Sequence, residues 1–127
     1  MRFLLLPVSL LLFTSCNSDA PQDRATDTIQ TVSEADGGKL IFQQYCASCH
    51  MMDQDVTGPK LRGALARWNN DTVRIKAFIR NSAELIADKD PLALQAQQRG
   101  RGGVMPAFPN LSEDELQKLI AYIQAGG

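Results

Sequence analysis

Cys46-Ala47-Ser48-Cys49-His50-Met51-Met52 places two thiols, an imidazole and two thioethers within seven residues. Each of these side chains can bind a metal or take part in redox chemistry. Three chemistries compete for the stretch: half of a zinc site, a thiol–disulfide centre, or covalent attachment of haem.

A structural zinc site needs four ligands, usually Cys and His in two separated pairs. Beyond residue 16, Cys46, Cys49 and His50 are the only Cys or His in the chain, and adjacent Cys49 and His50 suit tetrahedral chelation poorly. A thiol redox centre places C-x-x-C at a helix N-terminus in a βαβ setting, where the helix dipole lowers the thiol pKa. Here the pair follows an amphipathic segment, at its C-terminal end, so the dipole acts in the wrong direction. C-x-x-C-H is the pattern of c-type haem attachment, in which both thiols add across the porphyrin vinyl groups and the following His can bind the iron. The motif therefore points to one covalent haem c on Cys46 and Cys49, with His50 as an axial iron ligand.

His50 is the only histidine, so a bis-histidine iron site cannot form. Met51 and Met52 start on the His50 side of the cofactor and would have to cross it to reach the other face; they read as packing or surface residues. Met105 lies 55 residues beyond His50, in Gly102-Gly103-Val104-Met105-Pro106-Ala107-Phe108-Pro109. Glycines let the backbone pass close to a flat cofactor, and the two prolines stiffen the loop. Met105 is the expected second axial ligand.

The elements that must position these residues are helical, because no run shows sustained period-two alternation. Ser33 can cap a first helix running through Leu40-Ile41-Phe42 to Tyr45 and into the motif. Asn70 or Asp71 can cap a second, on which Ile75, Phe78, Ile79, Ser82 and Ile86 share a stripe. Asp90-Pro91 opens a third to about Gln98, ended by Gly100-Arg101-Gly102-Gly103. Ser112 and Glu115 form a capping box for the last, with Leu111 and Leu116 as its staple and Leu116, Leu119, Ile120 and Ile123 on one face. The expected fold is all-α, with about four helices and irregular loops around the haem.

Arg2 and the apolar run from Phe3 to Phe13 have the length of a secretory signal, about half that of a membrane span. Phe13-Thr14-Ser15-Cys16 resembles the lipobox of bacterial lipoproteins, with Leu12 one place earlier than usual. Cleavage after Ala20 is the alternative, but Pro21 would follow the cut. The reading is a signal peptide at 1–16 with Cys16 lipidated, a polar flexible tether at 17–33 and one domain at 34–127. The chain would be exported to the periplasm and anchored to a membrane through its lipid. Residues 34–127 carry eleven basic and eleven acidic side chains, with nine basic and four acidic between Lys60 and Arg101. That excess is too diffuse for nucleic acid and leaves room for a modest docking patch.

Taken together, these residues resemble a class I, single-haem cytochrome c of the small bacterial kind, over 34–125. In that family a Gly and an aromatic on the first helix meet an aromatic on the last, and Gly38, Phe42 and Tyr122 match those places. Gly58-Pro59-Lys60-Leu61 is similar to the stretch whose Pro carbonyl receives the hydrogen bond of the iron-ligating imidazole, so Pro59 would orient His50. Trp68 stands where relatives contact a haem propionate, or is plain core. The resemblance implies an electron carrier between a donor and an acceptor protein of a respiratory chain, with no small-molecule substrate and no catalytic residue. The alternatives are an electron-transfer subunit of a larger oxidoreductase, or a haem sensor or enzyme whose Met105 is displaceable.

Overall fold

The computed structural model describes residues 36–101 and 103–127. The expected signal with Cys16, the tether at 17–33 and the Ser33 cap lie outside these residues. Among the described residues the chain is all helix and loop, with no strand. Six helical segments follow in order: α1 (36–45), α2 (Ala64–Arg67), α3 (Thr72–Arg80), α4 (Ser82–Ala87), α5 (Pro91–Arg99) and α6 (Glu113–Ala125).

That is two more than the periodicity predicts, and each extra segment has a local cause. The second expected helix is split at Asn81, whose backbone is extended (φ −155°, ψ 84°). Asn and Asp side chains compete with helical hydrogen bonds for the backbone, and the Asn81 side chain instead accepts from the Glu84 N–H as the cap of α4. The carbonyls of Ile79 and Arg80, which an unbroken helix would use on residues 83 and 84, accept the Phe108 N–H at 3.2 and 3.1 Å. The apolar stripe survives the break: Ser82 is fully buried and Ile86 half-buried. The other addition, α2, is a single turn closed by the Trp68 N–H on the Ala64 carbonyl at 3.1 Å. It ends in Asn69 and Asn70, both left-handed (φ 55° and 58°), a conformation Asn tolerates better than most residues.

The first and last helices meet as the sequence suggests. A Cβ at Gly38 would collide with the Lys118 carbonyl and stand 2.7 Å from the Tyr122 Cβ, so only glycine admits α6 at this distance. One turn on, the rings of Phe42 and Tyr122 pack at 5.5 Å between centroids. The expected capping box forms at Ser112 and Glu115, and Gly126 ends α6 at φ 90°. Leu116, Leu119, Ile120 and Ile123 of α6 join Ile75 and Ile79 of α3, Leu65 and Trp68 in the core.

A feature the periodicity does not reveal is Lys76, on the buried side of α3. Its Nζ donates to Glu113 at 2.6 Å and Gln117 at 2.8 Å, and Arg80 donates to the same Glu113 at 2.9 Å. This cluster ties α3 to the first turns of α6.

Candidate cofactor site

α1 runs out into the motif through a tight turn. The Cys49 and His50 N–H groups both donate to the Cys46 carbonyl, at 3.0 and 2.9 Å, and the Gly58 N–H donates to the Cys49 carbonyl at 2.7 Å. These bonds bring residues 58 and 59 under the imidazole. His50 Nδ1 lies 2.8 Å from the Pro59 carbonyl oxygen. A carbonyl only accepts, so Nδ1 carries the hydrogen and the neutral ring keeps its Nε2 lone pair for a metal. Gly58 backs the ring, and a Cβ there would strike the imidazole.

An apolar cavity of about 850 Å³, counted with its open mouth, lies against this motif. Its walls include Cys46, His50, Trp68, Phe78 and Met105. A second space of about 550 Å³ adjoins it, with Cys49, Gly58, Gly103 and Pro106 in its walls. His50, Pro59 and Met105 line both. The chain thus brings together both cysteines of the motif, its single histidine and one methionine, although 55 residues separate His50 from Met105.

Of the other candidates, the two methionines beside His50 fall elsewhere. Met51 is exposed, Met52 packs against the core, and neither lines either space. Trp68 is buried, its ring 5.0 Å from that of Phe78, so it is core and cavity wall at once. Sequence reasoning missed Ser82, whose hydroxyl donates to the Met105 carbonyl at 2.6 Å. It also missed Arg67 and Arg99, which line the larger cavity and, with Lys60 and Asp55, a polar recess beside Pro59. Burial, then the charge of Arg99, lowers the Arg67 pKa, while its guanidinium donates to the Arg62 carbonyl at 2.8 Å. Only the local excess of basic residues hinted at this group.

The electrostatics do not suit a dithiol redox centre. Burial, reinforced by Cys49, pushes the Cys46 thiol up to about 11, whereas reactive cysteines have depressed values. Among the described residues no three of His, Cys, Asp and Glu gather as a metal site.

The family model described as cytochrome c oxidase, cbb3-type, subunit III matches residues 33–123. The chain belongs to this family. The matched region is a c-type cytochrome domain. It is similar to cytochrome c-554(547) of Halothiobacillus neapolitanus, 35% identical over 97 residues that cover 71% of this chain and 93% of that protein. It is also similar to cytochrome c oxidase subunit 2 of Alkalihalophilus pseudofirmus, 30% identical over 98 residues that cover 75% of this chain. The match spans only 26% of that subunit's length. A solved cytochrome c from Rhodothermus marinus superposes with a TM-score of 0.63 at 27% identity, covering 75% of this chain and 78% of the other.

Haem c is the cofactor that the family implies, and the residues present fit it. The space is apolar and adjacent to the C-x-x-C-H turn, with Cys46, His50 and Met105 in its walls, as a cofactor held by that turn requires.

Proposed function

We propose that this chain is a periplasm-side electron carrier, tethered to a membrane through lipid on Cys16, that passes electrons between respiratory redox proteins. Cys46 and Cys49 hold the haem as thioethers, and His50 and Met105 are its iron ligands. The observation that carries this reading is that the single histidine and Met105 line both apolar spaces, with His50 Nδ1 tied to the Pro59 carbonyl. When bound, haem c supplies an iron that alternates between two oxidation states.

The chain's own residues do the rest. Pro59 fixes the tautomer and orientation of His50 and raises its basicity. Met105 offers a soft thioether, which favours the reduced iron and raises the potential relative to a second imidazole. Cavity walls of Leu65, Ile75, Ile79 and Leu119 keep water from the iron and lower the local dielectric. Trp68 and the guanidiniums of Arg67 and Arg99, in the same cavity wall, are the candidate partners for the cofactor's carboxylates.

A pyridine-haem assay tests attachment through Cys46 and Cys49. Absorption spectra of the parent and Met105→Ala test the ligand: the weak far-red iron–thioether band should be present in the first and absent from the second. Its persistence in Met105→Ala would rule Met105 out. Tight, rapid carbon monoxide binding by the reduced parent would favour a sensor or enzyme with a displaceable methionine.

A second reading is a subunit of a larger oxidoreductase. It is favoured by the oxidase subunit 2 relative, in which the matched region is a minor part of a longer chain. Co-purification with an oxidase from native membranes would support it, and recovery of the chain alone would support the free carrier. Loss of membrane association in Cys16→Ser tests the tether.

A further inference from the structure

Met105 lies on an irregular stretch, residues 103–108, and hydrogen bonds hang that stretch on the break between α3 and α4. The Phe108 N–H is shared between the Ile79 and Arg80 carbonyls at the end of α3. Ser82, the first residue of α4, donates its hydroxyl to the carbonyl of Met105 itself at 2.6 Å. In an unbroken helix a serine hydroxyl commonly turns back to the carbonyl four residues earlier, and the two α3 carbonyls would be used within the helix. The extended backbone of Asn81 therefore frees one donor and two acceptors for the loop. Ser82 has no exposed surface, although a serine there contributes little apolar burial to the stripe it interrupts.

We propose that Ser82 is the positioning residue for the Met105 thioether, holding it in place through the methionine's own backbone. This rests on the reading of Met105 as an iron ligand. The bond acts on the residue whose side chain carries the sulfur, so a shift of that carbonyl moves the Cα from which the thioether is presented. Phe108, three residues on, anchors the other end of the loop. Without the Ser82 donor, the Met105 carbonyl must find another partner, and turning towards water carries the side chain away from the cavity. The thioether then competes less well with an added ligand for the same iron position.

The test is an imidazole titration of the oxidised haem-loaded protein, followed at the far-red iron–thioether band, with the midpoint potential measured alongside. Ser82→Thr, which keeps the hydroxyl, should match the parent. Ser82→Ala should bind imidazole about tenfold more tightly, the size of one hydrogen bond, and should have a lower potential. Met105→Ala should have no band; if it keeps the band, the ligand reading fails and not the Ser82 assignment alone. If Met105→Ala loses the band while Ser82→Ala titrates like the parent, the Ser82 proposal is wrong. Leu116→Ala loosens the core at a residue that lines neither space and should leave imidazole affinity unchanged; an increase equal to that of Ser82→Ala would mean general loosening and overturn the proposal. Should Ser82→Ala fail to take up haem, Ser82→Cys fills similar space with a weak donor: tighter imidazole binding supports the proposal and parental binding overturns it.

Discussion

Gly58 is where one missing Cβ decides whether His50 can stand as it does. The imidazole is fixed on one edge by the Pro59 carbonyl, and Gly58 packs against the ring so closely that a methyl group would overlap it. Gly58→Ala should therefore tilt or displace the ring, costing about 1–3 kcal/mol as overpacking does. The checks are a thermal melt and the midpoint potential of the haem-loaded variant: the melting temperature should fall and the potential should rise, because a displaced imidazole that loses its hydrogen bond to Pro59 is a less basic ligand. A variant with the parental potential would show that the ring has room the structure does not grant it. Residue identity made most of this site legible, since two cysteines, one histidine and one Gly-Pro-flanked methionine have few other tasks in a chain with a single His. What stayed hidden was the bond from Ser82 to the Met105 carbonyl and the closeness of Gly58 to the imidazole, because neither a serine on an apolar stripe nor a glycine before a proline is chemically conspicuous.

At the scale of elements, the sequence reveals helices through periodicity and caps, and hides what interrupts them. Ser112 and Glu115 announce α6 because a capping box is a local pattern. The break at Asn81 leaves the stripe in phase, with Ser82 and Ile86 still facing inward, so periodicity cannot detect it. The carbonyls that the break releases are taken by the Phe108 N–H, 27 residues away, which no local pattern shows. Lys76 is hidden for the same reason: its partners Glu113 and Gln117 belong to α6. Hydrogen bonds from Lys76 and then Arg80 hold the Glu113 carboxyl below its ordinary value of 4.5. A carboxylate with a depressed folded pKa stabilises the fold above the unfolded value, and that contribution disappears as pH falls through the folded value. Glu113→Gln should accordingly melt at a lower temperature than the parent at neutral pH. The gap should close as pH drops below 4.5, which melts at a series of pH values would show. A gap independent of pH would assign the effect to packing at the start of α6 rather than to charge.

The whole molecule is built around a space it does not fill with its own side chains. Most of the buried apolar residues, among them Leu65, Ile75, Ile79, Leu119, Ile120 and Ile123, are also walls of the cavity beside Cys46 and His50. Helices α3 and α6 are joined by the Lys76 cluster, and α1 crosses α6 at Gly38, but an apolar cavity with an open mouth lies between the core and the motif. A domain of this size has little margin: stability is of order 0.05–0.15 kcal/mol per residue. Large apolar cavities destabilise in proportion to their volume, and water enters apolar space at a cost. The covalent cofactor would supply the apolar surface that these walls lack, and the two thioethers would keep it there. Replacing Cys46 and Cys49 together by Ala should leave a chain that is largely unfolded at 25 °C. Far-UV circular dichroism would then show reduced helix and no cooperative melt. Helix α6, with its capping box and apolar stripe, should be the part that retains residual structure, since its start and stop signals are local. A cooperative melt of the haem-free variant near that of the parent would mean that the walls close on one another, and that the core of this fold does not depend on its cofactor.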